Sequence, residues 1–406
     1  MKSVEEQMRE IRRGVVQVVE ESELREKLGR GKPLRVKLGV DPTAADLHLG
    51  FTVVLRKLRQ FQDLGHQAVL IIGTYTAQVG DPSGRDKSRP QLAEETVLEN
   101  ARKYLEQAGK ILNMEGLEVR YNGEWFRQMG FMDVIKLLAK STVARTLERE
   151  DFAARMAAGT AVYLHEMVYP LMQGYDSVEV KADVELGGND QTFNLMVGRD
   201  LQRDAGQEPQ VCITMPLLEG LDGVRKMSKS FGNYVGINDA PNEMFGKLMS
   251  VSDELMWKYY ELLTDVKMEE IAEMRAGVAA GKFHPMEAKK RLGQALVRFY
   301  HGDAAADEAR REFERVFSAG EAPREMAEVR VRPDGEGMLD VVGLLVEAGM
   351  AGSKGEARRL IAQGAVQLGE ERVKEMRVAA PGACEAVMRA GKRRFVKVII
   401  EREERA

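Results

Sequence analysis

The chain has 406 residues, 44% hydrophobic and 31% charged, the balance of a soluble globular protein of two or three domains and not of a disordered chain. No run of about 18 apolar residues occurs and the N-terminus shows no apolar stretch before a small-residue cleavage site, so neither a membrane span nor a signal peptide is expected and the expected location is the cytoplasm. Two cysteines, Cys212 and Cys384, and five histidines without an HExxH pair exclude a disulfide scaffold and a cysteine-cluster zinc site, and a net charge of −4 argues against a general nucleic-acid binder.

The first 28 residues mix charge and aliphatics at helical spacing. From Leu34 the text becomes LRVKLGV, which predicts a buried strand ending at the turn Asp41-Pro42-Thr43. A helix over roughly 47–64, a strand in HQAVLIIG, a tight turn at Gly80-Asp81-Pro82-Ser83-Gly84, a helix near 94–112 and a strand in LEVRYN follow. Strands alternating with helices predict an α/β fold, a Rossmann-like doubly wound parallel sheet. Over 131–174 helices dominate, as a helical insertion would. VEVKADV (178–184) and VCITMPLL (211–218) read as returning strands, with a helix from about Gln191 to Arg203 between them. After Phe231 the text is helical to about Phe317, and 318–337 is polar with Pro and Gly. The last stretch predicts a helix pair, Leu339–Ala348 and Lys354–Gln363, then short strands near Val366, Val373 and Phe395–Ile400. The expected domains are a catalytic domain over 1–232 with its insertion at about 124–170, an α-helical domain over 233–317, a linker over 318–337 and a small α+β domain over 338–406.

Charge is unevenly spread. Between Ala351 and Lys397 there are eleven Lys or Arg against five Asp or Glu, about +6 on a body of about −10. A basic tail on an acidic body points to an appended nucleic-acid-binding module, or to a solvated charged face.

Two segments carry chemistry. Asp46-Leu47-His48-Leu49-Gly50-Phe51 follows a strand and opens a helix. His48 and Gly50 therefore stand at a helix N-terminus, where free N–H groups attract phosphate and glycine lets a nucleotide approach; a histidine can also start a helix with no further task. Lys226-Met227-Ser228-Lys229-Ser230 lies in a loop between Gly223 and Gly232. Two lysines three apart there can clamp a polyphosphate and neutralise a leaving pyrophosphate. The two segments stand about 180 residues apart, in this order.

Together they resemble the signatures of the class I aminoacyl-tRNA synthetases. KLGVDPTAADLHLG, VGDPSGRDKSRP, YPLMQGYDS, ELGGNDQTFN, GLDGVRKMSKS and SKGEARRLIAQGAVQLGEERV narrow the resemblance to the bacterial tyrosyl-tRNA synthetases, over nearly the whole chain. The implied activity is ligation of L-tyrosine to tRNA(Tyr) in a homodimer whose interface is the helical insertion. ATP is the other substrate, Mg2+ is expected to accompany it, and no tightly bound cofactor or metal of the protein's own is implied.

Tyr169, Gln173 and Asp176 fall at four- and three-residue spacing, so one helix face presents all three. By resemblance Tyr169, Gln173 and Asp81 hold the substrate ammonium, Asp176 accepts from the phenol and Gln191 lies beside the substrate. Thr43 and His48 face the phosphates, Asp41 lies near the reacting carboxylate, Gly50 and Asp190 near the nucleoside, and Arg85 and Arg89 can close over pyrophosphate. The tail resembles the RNA-binding fold of a ribosomal small-subunit protein, with Lys354, Arg358 and Arg359 on one helix face toward tRNA. Two positions depart from the pattern: Phe51 stands where the signature usually has histidine, and Lys37 where some members have a tyrosine touching the substrate hydroxyl.

Overall fold

The strand expected at 34–40 lies inside a six-stranded sheet. The computed structural model describes residues 2–43, 46–83, 92–317, 326–380, 385–391 and 394–401. Among them the sheet comprises β1 (Gln17–Val19), β2 (Arg35–Val40), β3 (Gln67–Ile72), β4 (Leu117–Tyr121), β5 (Val184–Gly188) and β6 (Val211–Met215), in the order β1-β6-β5-β2-β3-β4. β2 to β6 are parallel; β1 is antiparallel on the β6 edge. Residues 68–72 and all of β6 are buried, which is why these strands read as continuous apolar text: a parallel sheet is covered on both faces.

The chain runs β2, β3, β4 toward one edge, then returns through the insertion to lay β5 on the other side of β2. A crevice opens at the carboxyl ends of two strands whose connections leave in opposite directions; here these are β2 and β5. The insertion is helical as expected: Phe131–Leu138, Val143–Thr146, Glu150–Ala157 and Leu164–Val180.

The segment 178–184 corrects the strand expected there. Its first three residues end the Leu164–Val180 helix, which Lys181 terminates with φ 51°, and the strand begins only at Val184. VEVKADV fits a period of two, but Leu171, Gly174, Ser177 and Val180 are buried at spacing three and carry the helix onward. Gly174 lets this helix press on Thr192–Asp204, since a Cβ there would lie 3.0 Å from the Gly198 nitrogen. β1, three residues long, is too short to show a period in sequence.

The described chain divides into two compact units, Met1–Gly302 and Asp303–Ala406. Helices Pro241–Met249, Asp253–Leu263, Met268–Ala279 and Pro285–His301 belong to the unit of the large sheet. In the second unit Glu328–Val331, inside the polar stretch, is a strand parallel to Arg394–Ile400. It edges a five-stranded sheet with Glu385–Ala390, Val366–Leu368 and Glu371–Arg372. Helices Val341–Glu347 and Lys354–Ala362 start at the side-chain caps Asp340 and Ser353. Their Leu345, Ala357 and Ile361 join Val366, Met388, Val396 and Val398 in one core. Among the described residues no helix is long and apolar enough to cross a membrane.

Candidate active site

The crevice between β2 and β5 holds a cavity of about 310 Å³. Asp41, Thr43, His48, Gly50, Asp81, Tyr169, Gln173, Asp176, Asp190, Gln191 and Lys226 all line it, with Phe51. The two signature segments meet there through backbone. Leu49 N–H donates to the Val235 carbonyl at 2.9 Å and Ile237 N–H to the Leu47 carbonyl at 3.1 Å, so the first signature is laced to the residues that follow the second. A Cβ on Gly50 would lie 3.0 Å from the His48 ring and 3.4 Å from the Met227 Cβ, so a larger residue there would have to push the His48 ring aside.

His48 caps the Leu49–Asp63 helix. Its Nδ1 accepts from the Gly50 N–H at 3.2 Å, which leaves the proton of a neutral ring on Nε2. Burial, with Lys229 nearby, pushes its pKa down to about 4. The ring is therefore neutral at pH 7 and offers an N–H donor. Phe51 packs on it, ring centroids 4.6 Å apart, and is itself 45% exposed.

At the other end lies Asp176, 3% exposed. Its Oδ1 accepts from Trp125 Nε1 at 3.0 Å and its Oδ2 from Asn122 Nδ2 at 3.3 Å. Burial still pushes its pKa up to about 7, against the opposing pull of Lys37 and of those two donors. Tyr169 donates to Asp41 at 2.9 Å, and Asp41 also accepts from Thr76 at 2.7 Å. Gln191 donates to Asp81 at 3.0 Å. Lys37 does not line the cavity: its ammonium donates to the Gln173 carbonyl and to Ser177 Oγ, each at 2.8 Å, and pairs with Glu185.

Some expected residues are not gathered into the cavity wall. Lys229 stands at its edge with Nζ on the Asp46 carboxylate at 2.9 Å. Arg85 and Arg89 lie outside the described residues. Lys354, Arg358 and Arg359 are exposed on one helix of the second unit.

Sequence reading missed Asn122, Trp125, Glu185, Asn194, Arg149 and Asn233. Two signals were present. Asn122 directly follows β4, at the sheet edge where such folds place ligands. Lys37 and Glu185 are charges inside apolar strands, a pattern that needs a buried partner.

A cradle at a helix N-terminus, two lysines on an adjoining loop and a cavity ending in a buried carboxyl group fit a nucleoside triphosphate beside a small polar ligand. Known proteins show the family. Residues 30–318 match the family model described as tRNA synthetases class I (W and Y), and residues 340–379 that of the S4 domain. The chain is 51% identical over 397 residues to a tyrosine–tRNA ligase of Oleidesulfovibrio alaskensis, covering 98% of this chain and 99% of that one. With a tyrosine–tRNA ligase of Thermotoga maritima the identity is 50% over 394 residues, 97% of each chain. Among solved structures, the tyrosyl-tRNA synthetase of Archaeoglobus fulgidus complexed with L-tyrosine superposes with a TM-score of 0.62 at 22% identity, over 76% of this chain and all of that one. This last likeness is one of fold.

Proposed function

The chain belongs to the class I tRNA synthetases of the tryptophan and tyrosine type and is a tyrosine–tRNA ligase; on that premise we propose how its residues divide the work. Tyrosine lies with its phenol on Asp176, the carboxyl group buried among Trp125 and Asn122. Its ammonium meets Tyr169, Gln173 and Asp81, with Gln191 alongside. Asp41, tied to Tyr169, lies on the seam between the two substrates. Gly50 and Asp190 face the nucleoside of ATP; Thr43 and His48 face its phosphates.

A tyrosine carboxylate oxygen attacks the α-phosphorus, the bond to the bridging oxygen breaks, and pyrophosphate leaves. No protein nucleophile is needed: the site contributes position and charge. His48 donates from Nε2, and Lys226 and Lys229 neutralise the leaving group. Lys229 must exchange Asp46 for phosphate to do so. Arg85 and Arg89 are assigned to pyrophosphate by resemblance. Mg2+ enters with the ATP phosphates as part of the substrate; among the described residues no group of three or more His, Cys, Asp or Glu side chains comes together to hold a metal ion. In the second step a hydroxyl of the tRNA terminal ribose attacks the tyrosyl carbonyl, releasing AMP and a proton.

The domain assignment follows: catalysis over 1–232, a helical domain over 233–317 and tRNA binding over 338–406, where Lys354, Arg358 and Arg359 meet backbone phosphates. Homodimerisation through the insertion is supported by Phe131 and Leu164, 78% and 80% exposed, apolar surface that a second copy would cover. The cytoplasm, where tRNA is charged, is the proposed location.

The observation that carries this reading is the single cavity shared by both signatures and Asp176. Pyrophosphate exchange into ATP, run with each amino acid in turn, tests it. Exchange should depend on tyrosine; exchange driven by tryptophan, or by none, would overturn it. Light scattering of the purified chain reads the dimer.

A further inference from the structure

We propose that Asn194, oriented by Arg149, is a positioning residue that sets the hydrogen-bond polarity of the amino-acid end of the site. The proposal rests on the reading of Gln173, Gln191 and Asp81 as surrounding the substrate ammonium.

Asn194 is wholly buried in the first turn of the Thr192–Asp204 helix. Its Oδ1 accepts from Arg149 Nη1 at 2.6 Å. A guanidinium only donates, so this contact fixes which end of the amide is oxygen. Nδ2 then faces the other way, donating to Oε1 of Gln173 and Oε1 of Gln191, each at 3.0 Å. With their oxygens held inward, the glutamines turn their Nε2 groups outward. That of Gln173 donates to Glu185 at 3.1 Å, and that of Gln191 to Asp81 at 3.0 Å.

The network thus begins on a group that can only donate and ends on two carboxylates, which accept when ionised. An amide that flipped would set donor against donor and acceptor against acceptor, and buried groups left unpaired are costly. Each glutamine oxygen keeps a second lone pair, available to an ammonium. Without Asn194 either glutamine could turn its Nε2 toward the substrate, presenting a donor to a cation. Arg149 is itself held by Asp151 at 2.8 Å and Ser83 at 3.1 Å, and packs over the rings of Phe152 and Phe193. It stands immediately before the Glu150–Ala157 helix of the insertion and does not line the cavity, so the polarity of the pocket is set from outside the pocket.

The test compares tyrosine with 3-(4-hydroxyphenyl)propionate, which keeps the phenol and carboxylate and lacks the ammonium. In pyrophosphate exchange, Asn194→Ala should raise the KM for tyrosine about 10- to 100-fold, the loss expected for hydrogen bonds to a charged group. The KM for ATP and the inhibition constant of the analogue should stay within about threefold on the same ground. Arg149→Met keeps the packing on the two rings and removes the donor, and should shift tyrosine against analogue in the same direction by a smaller factor. If Asn194→Ala does not fold, Arg149→Met decides alone. Equal losses for tyrosine and analogue, or an unchanged KM for tyrosine, would overturn the positioning role. Gln173→Ala separates the premise: if it leaves the KM for tyrosine unchanged, the amino-acid end has been misassigned; if it raises that KM while Asn194→Ala does not, only the positioning role fails.

Discussion

Lys37 on β2 and Glu185 on β5 are opposite in register, their charged atoms 2.8 Å apart and both side chains fully buried. All three protons of the Lys37 ammonium find acceptors, in Glu185, Ser177 and the Gln173 carbonyl. Removing one member strands a buried charge; removing both need not. Lys37→Met and Glu185→Leu should each lower the unfolding free energy by about 3–5 kcal/mol, and the double variant should recover most of it. Urea unfolding of the three proteins checks this, and a double variant no better than the weaker single would break the argument.

Asp176 governs a pH dependence. Its folded pKa, about 7, lies above the ordinary carboxyl value of about 4. Between these values the folded chain holds a proton that the unfolded chain has lost. The penalty of burying the charge is absent below the lower value and complete above the upper one, so this group's contribution worsens as pH rises. Asp176→Asn cannot ionise. Its stability relative to the parent should improve from about pH 4 to about pH 7, by at most roughly 1.4 kcal/mol per pH unit. A flat difference across the window would show that the carboxyl does not titrate there. The same variant should lose preference for tyrosine over phenylalanine, read as the ratio of kcat/KM values.

Phe51 covers His48 and cannot donate to a phosphate. Its ring is partly exposed on the nucleotide side of the cavity. Phe51→His should therefore speed adenylate formation by about 1 kcal/mol in the barrier, roughly fivefold. Single-turnover measurement at saturating ATP decides; a slower variant would mean that the neighbours have adapted to the ring.

Asn233 stitches the signature loop. It is buried, accepts from the Ser228 N–H at 2.9 Å, and donates to Asp222 at 3.0 Å and to the Lys226 carbonyl at 3.2 Å. Both lysines of the loop hang on that frame. Asn233→Ala should slow adenylate formation about 10- to 100-fold by misplacing them, with tyrosine affinity measured by equilibrium dialysis unchanged. An unaltered rate would show the loop to be self-supporting.

Lys354, Arg358 and Arg359 project from a helix that buries Ala357 and Ile361 instead. Replacing all three with alanine should leave adenylate formation intact and weaken tRNA charging. The slope of log affinity against log salt should fall by about 2. Unchanged salt dependence would remove these residues from the tRNA surface.

The signatures around His48 and Lys226 were legible in the sequence because phosphate binding is local chemistry: a helix start, a glycine, a loop with two cations. The sheet was legible because a parallel strand buried on both faces must be apolar almost throughout. VEVKADV misled because seven residues can satisfy two periods, and the helix they ended was being decided by contacts with Thr192–Asp204. What the sequence could not state is partnership. Trp125 and Asp176, or Arg149 and Asn194, stand dozens of residues apart, and neither member of a pair announces the other. The orientation of each buried amide, and the pKa of a carboxyl group shut away from water, depend on which donors and charges the fold carries to it. Those quantities exist only once the chain has closed, so the tertiary structure alone set them.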